Sequence, residues 1–146
     1  MKLLNFFMAT LIILLIALIS FIYITPKTPT AKINGHAFSL FLAKTSQEQE
    51  VGLAKYNKIE QNQGMLFLFA KDGNYSFWMK NMKFPIDIIF IENNKVVDVF
   101  QNVPVSTNDN LPVYTTKTKA NKVLEINAGL AKKYNIKIGT EVRLDL

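Results

Sequence analysis

The side chains best suited to chemistry cluster in one stretch, Tyr75 to Ile91. Trp78, Lys80 and Asn81 precede a short connection ending in Pro85, and Asp87 follows inside the apolar run Ile86–Ile91. A hairpin turn centred on Lys83 and Phe84 sets Lys80 opposite Asp87, Trp78 opposite Ile89 and Ser76 opposite Ile91, and opposed residues of an antiparallel pair share a face. That register predicts a ligand site with Trp78 as its apolar wall and Lys80, Asn81 and Asp87 as its polar anchors. The competing reading is structural. An acid on so apolar a strand needs a partner when buried, and Lys80, Asn81 or backbone donors would serve to fix the turn.

Catalysis has thinner support. General acid–base chemistry asks for a second carboxylate beside Asp87, or a histidine near one. Glu125 and Asp109 are the acids that could meet Asp87 in space, and either pairing would make the protein a hydrolase. Ser76, Ser106 and Thr107 lack a visible base. The chain's one histidine, His36, follows Asn34-Gly35 and reads as a turn residue. With no cysteine and a single histidine, disulfides, Cys-ligated zinc, iron–sulfur clusters and most His-based centres are excluded. No metal and no cofactor is expected. An all-oxygen Ca²⁺ site from Asp109 and neighbouring asparagines is the weak exception.

Lys and Arg number 17 against 11 Asp and Glu, a net charge of +6. The lysines are scattered, arginine is nearly absent and no recognition motif accompanies the charge. The sequence therefore predicts no nucleic-acid partner.

Leu3 to Ile24 carries no charge and, as a helix, would be ~33 Å long, about the hydrocarbon thickness of a bilayer. It lacks a small-x-small cleavage site, which favours an uncleaved signal anchor over a signal peptide. The expected partner of residues 3–24 is the lipid bilayer. The two-residue amino tail favours a single-pass membrane protein with its domain outside the cytoplasm, although Lys27 and Lys32 make the positive-inside count lean slightly the other way. Residues 25–31, with Pro26 and Pro29, read as a linker, and 32–146 as a single β-rich domain.

Within the domain, Asn34-Gly35 supplies a two-residue hairpin turn. Phe38, Leu40 and Leu42 alternate onto one face of a strand. Thr45-x-x-Glu48 and Ser46-x-x-Gln49 are capping-box patterns that start a helix running to about Lys55. Met65–Phe69, Tyr75–Lys80, Ile86–Ile91, Val96–Phe100, Lys122–Ile126 and Glu141–Leu144 read as strands. Lys71–Asn74 reads as a turn, residues 101–121 as a long loop, and Ala128–Tyr134 as a short helix. The spacing of Phe67, Phe69, Phe77, Phe84, Phe90 and Phe100 points to core rather than to an aromatic platform. These elements predict a mostly β fold with two short helices, an antiparallel barrel or jelly-roll-like sandwich, behind one N-terminal transmembrane helix.

Several blocks occur in an order that resembles domain-of-unknown-function family 192: Gly64-Met-Leu-Phe67, Phe77-Trp-Met-Lys-Asn81, Pro85-Ile-Asp-Ile-Ile-Phe-Ile91, Val123-Leu-Glu-Ile-Asn-Ala-Gly129, and Ile138-Gly139 with Val142. The resemblance runs from about Ala43 to the end. It implies a β-rich, barrel-like or jelly-roll-like domain, often behind a signal or anchor sequence, and no established activity. Two places depart from the family pattern: Gly52-Leu-Ala-Lys55, where members often carry Gly-Leu-Met-Arg-like residues, and Asn81-Met82, where they often have Asn-Thr.

Taken together, these residues point to a membrane-anchored extracytoplasmic β domain that binds a small ligand or a protein partner near the Trp78 hairpin end. The alternatives are a hydrolase using Asp87 with Glu125 or Asp109, and a purely structural envelope protein.

Overall fold

A computed structural model describes residues 2–24, 27–106 and 111–146. Helix α1 (Lys2–Ile24) opens the chain, and its apolar window Leu3–Ser20, long enough to cross a membrane, is buried nowhere against the rest of the protein. A signal sequence has the same character. Thr25 and Pro26 of the expected linker, and Thr107 and Asp109 of the expected loop, lie outside the described residues.

Strands β1 (Thr30–Ile33) and β2 (His36–Ala43) form the hairpin that Asn34-Gly35 encodes. Both turn residues take positive φ, 47° and 82°, as a two-residue turn between right-twisted strands requires. Strand β1 begins at Thr30, inside the stretch expected as linker. The capping box is formed at the start of α2 (Ser46–Val51). The Glu48 N–H donates to Thr45 Oγ1 at 3.2 Å, and the Thr45 N–H donates back to Glu48 Oε2 at 2.9 Å. At Gly52, φ is +53°, which ends α2, and one 3₁₀ turn over Gly52–Lys55 completes the helical segment.

The remaining elements are β3 (Gln63–Gly73), β4 (Ser76–Trp78), β5 (Ile86–Glu92), β6 (Lys95–Val103), β7 (Val113–Thr115), β8 (Ala120–Asn127), α3 (Leu130–Lys133) and β9 (Val142–Asp145). Seven strands make one sheet in the order β6-β5-β8-β3-β2-β1-β9. The sheet curls until its edges meet: the Val96 N–H donates to Thr140 O, the Gly139 N–H to Val96 O and the Val142 N–H to Asn94 O, at 2.8–2.9 Å. The result is a half-barrel, mostly β with short helices. One pair departs from the all-antiparallel expectation. Strands β2 and β3 run parallel, because the α2 segment carries the chain back across the sheet before β3 starts.

Strands β3, β5 and β8 are covered on both faces over residues 64–67, 86–91 and 123–126, which makes these runs apolar apart from Asp87 and Glu125. Phe38, Leu40, Leu66, Ile89, Ile91, Leu124 and Ile126 fill the inside of the curl with Leu130 and Ala131 of α3. Met65, Phe67, Ile88, Phe90 and Val123 face outward, under Leu53, Met79 and Met82. Phe67, Phe69, Phe77, Phe84, Phe90 and Phe100 belong to this outer layer, where edge-to-face contacts run Phe67–Phe77–Phe90–Phe100–Tyr114.

Three expectations fail here. The turn expected at 71–74 is strand, since β3 continues to Gly73. The loop expected over 101–121 holds the end of β6, all of β7 and the start of β8. Strand β7 pairs with β4 in a separate two-stranded sheet, Trp78 opposite Val113. The expected pairing of the Trp78 strand with the Asp87 strand does not form.

Candidate functional site

Asp87 lies on β5 with its side chain on the inner face, fully buried. A β-bulge in β6 explains one of its partners. Ile86 pairs with Val103 and Ile88 with Phe100, so two residues of β6, Gln101 and Asn102, stand opposite Asp87. Asn102 takes φ +53°, and its N–H donates to Asp87 Oδ1 at 2.7 Å. The Gly129 N–H donates to the same oxygen at 3.1 Å, and the Ala131 N–H to Oδ2 at 2.7 Å. Helix α3 has no side-chain cap of its own; the carboxylate of a neighbouring strand caps it instead. Asp87 therefore ties the bulge to the helix that plugs the barrel end. The expected Lys80–Asp87 pair is absent: backbone amides, one of the alternatives considered for a structural role, satisfy the acid.

The structure does bring Trp78, Lys80 and Asn81 together. Trp78 is half exposed, and the Lys80 ammonium sits 5.4 Å from its ring centroid, a cation–π contact. Asn81 takes φ +59° in the turn closed by the Met82 N–H on Met79 O, 3.2 Å. All three border a shallow depression with Glu50, Val51, Ala54 and Lys55. Asp87 is not among them.

Beside that depression lies a deeper cavity of about 300 Å³ between α2, the β4 strand and the outer face of the barrel. Buried Gly52, Phe67, Met82 and Glu125 form its floor, Phe69, Tyr75 and Phe77 its walls, and Glu50, Val51, Trp78 and Lys80 its mouth. Gly52 is required at the floor. A Cβ there would stand 3.3 Å from Phe67 Cζ and 3.9 Å from Glu125 Oε2. Gln49 also borders the cavity, but its amide is committed to the carbonyls of Ala43 and Leu68, 3.3 and 2.9 Å away.

Glu125 is the residue that the sequence offered only as a possible second acid. It is 5% exposed, and its Oε2 is buried with no hydrogen-bond partner among the described residues. Burial pushes its carboxyl up to about 8, because the surrounding apolar side chains disfavour the charged form. The group is therefore protonated at neutral pH. The readable signal was the same as for Asp87, an acid inside an apolar strand (Val123-Leu-Glu-Ile126). Its face could not be read.

Asp87 and Glu125 do not form a catalytic dyad. Asp87 pairs in register with Ile126 of the inner core, and Glu125 with Ile88 of the outer core, so the two acids project to opposite sides of the sheet. Asp109 lies outside the described residues, and no group of three or more His, Asp and Glu that could hold a metal occurs among the described ones.

The family model DUF192, described as "Uncharacterized ACR", matches residues 29–144. Two solved structures are similar over most of the chain. One is a protein of unknown function from Novosphingobium aromaticivorans DSM 12444, 33% identical, covering 80% of this chain and 83% of that one, with a TM-score of 0.70. The other, from Sinorhizobium meliloti 1021 and described as a candidate transcription regulator, is 26% identical, covers 82% of this chain and 94% of that one, and has a TM-score of 0.72. No curated protein matches the chain.

Proposed function

The chain belongs to the uncharacterised family DUF192, and from that premise we propose that it is a single-pass, membrane-anchored protein whose β domain stands outside the cytoplasm and binds a small ligand in the pocket beneath Trp78. The observation that carries the binding reading is Glu125. A buried carboxyl oxygen with no partner among the described residues, at the floor of a cavity lined by aromatic rings, is costly to the folded protein, and an incoming polar group would relieve that cost. The cavity volume of about 300 Å³ suits a small molecule. In this reading Trp78 and Lys80 stand at the mouth, Asn81 shapes the adjoining turn, and Glu125 replaces Asp87 as the polar anchor.

The test is mass spectrometry of small molecules released from the purified full chain, alongside a Val51→Trp variant that fills the mouth from an exposed position. A compound enriched with the native chain and lost from the variant supports the reading. Identical extracts from the two proteins would overturn it.

A further inference from the structure

We propose that the pocket beneath Trp78 recognises a primary ammonium group carried on an apolar body, with the cation seated on Glu125 among the aromatic rings. This rests on the ligand-binding reading above and names the class of ligand. A buried acid can be satisfied by a hydrogen-bonding neutral group or by a cation. Three features favour the cation. Among the described residues, Oε2 of Glu125 has no partner and no basic side chain salt-bridges it; the ion pair found there joins Lys27 to Asp145. The rings of Phe69, Tyr75, Phe77 and Trp78 line the same cavity, and aromatic faces attract cations. The Trp78 face already holds an ammonium in this structure, that of Lys80. At the mouth the lining carries one acid and one base, Glu50 and Lys80, and Glu125 is the acid at the floor. The apolar walls require the rest of the ligand to be hydrocarbon or aryl.

Seating an ammonium on Glu125 requires the carboxyl to ionise, so binding releases a proton to solvent. The other titratable groups lining the pocket are Glu50, Tyr75 and Lys80. Below the carboxyl's own titration range, affinity for the amine should rise about tenfold per pH unit and then level off once the group is ionised in the free protein. A neutral ligand would show neither the rise nor the proton.

Trp78 is the only tryptophan in the chain, so its fluorescence reports on this pocket alone. The full chain in detergent is titrated with cyclohexylmethylamine, cyclohexylmethanol and cyclohexanecarboxylate. The amine should bind at least about tenfold more tightly than the alcohol near pH 7, and the carboxylate more weakly still. Calorimetry in buffers of different ionisation heat should show about one proton released per amine. In Glu125→Gln the amine and the alcohol should bind alike, without pH dependence; that variant also corrects for partition into the detergent. Equal binding of amine and alcohol to the native chain, with no proton released, would overturn the ammonium assignment and leave the ligand-binding reading standing. No response to any of the three probes from a folded chain would overturn both.

Discussion

Asp87 and Glu125 sit on adjacent antiparallel strands, one position apart in register, and project to opposite faces of the sheet. Each interrupts an apolar run, and each is buried. They resolve that burial in opposite ways. Asp87 accepts three backbone N–H groups and is complete within the fold. Glu125 has an oxygen without a partner among the described residues and faces a cavity. One acid holds the barrel end together, and the other lines a cavity on the opposite face.

Asp87→Ala would strand three buried amide donors at once, on Asn102, Gly129 and Ala131. Orphaned donors and the lost charge-assisted bonds together should cost about 3–5 kcal/mol. Asp87→Asn keeps one acceptor oxygen and should lose roughly half as much. Denaturant unfolding measures both. A loss under about 1 kcal/mol for the alanine variant would show that the carboxylate does not hold α3 to the bulge.

Glu125 makes stability depend on pH, with a definite sign. Its folded value, about 8, stands above the ordinary 4.5, so between these limits the folded state binds more protons than the unfolded chain. Stability from this group is full below about pH 4.5 and is lost as pH rises toward 8, by up to about 1 kcal/mol per pH unit. Glu125→Gln should flatten that window and be the more stable protein near its upper end. Urea midpoints of the two proteins across the range provide the check. A native chain that gains stability relative to the variant as pH rises would contradict a buried, uncompensated acid.

The sequence made the local signals legible where a short motif settles the backbone. Asn34-Gly35 turns the first hairpin, Thr45 and Glu48 start α2, and Asn93 and Asn94, both at positive φ, turn the second hairpin. The apolar runs gave the position of the central strands. What sequence order could not give was the neighbour of β4. Reading Tyr75–Ile91 as a hairpin assumed that consecutive strands pair. Both edges of β5 are already taken, by β6 and β8, so β4 pairs with β7 instead. That three-residue strand follows Pro112 in a stretch rich in Thr and Asn, which hid it. The pairing error moved Asp87 into the wrong cluster. It also hid Glu125, whose face depends on a sheet buried on both sides.

Gly64 should tolerate no side chain. It lies where β3 meets β8, and a Cβ would stand 2.7 Å from the Glu125 carbonyl oxygen and 3.0 Å from Ile126 Cγ2. Because the closest atom is backbone, relief requires moving β8 itself. Gly64→Ala should cost about 2 kcal/mol or more. Gly35→Ala, by contrast, meets nothing within 4 Å and suffers only from its φ of +82°, about 1 kcal/mol. Thermal unfolding of the two variants should rank them in that order, and the reverse ranking would refute the close approach of the strands.

Helix α1 should be dispensable for folding and required for membrane association. Its window Leu3–Ser20 is apolar and wholly unburied, whereas the core starts at Ala31. So much apolar surface in water would be strongly unfavourable, and its length of ~33 Å matches a bilayer interior. A chain beginning at Lys27 retains every core residue and the exposed Lys27–Asp145 ion pair. It should be soluble and monodisperse, and unfold cooperatively with the β domain's own midpoint. The full chain should stay with membranes through alkaline extraction. An insoluble or unfolded truncation would place α1 within the fold. Two further measurements complete the topology. Sequencing the mature amino terminus separates an anchor, which retains residues 3–24, from a signal peptide, which loses them. A reporter active only in the cytoplasm, fused after Leu146, should be silent; its activity would put the domain, and the mouth of the Glu125 pocket, on the cytoplasmic side.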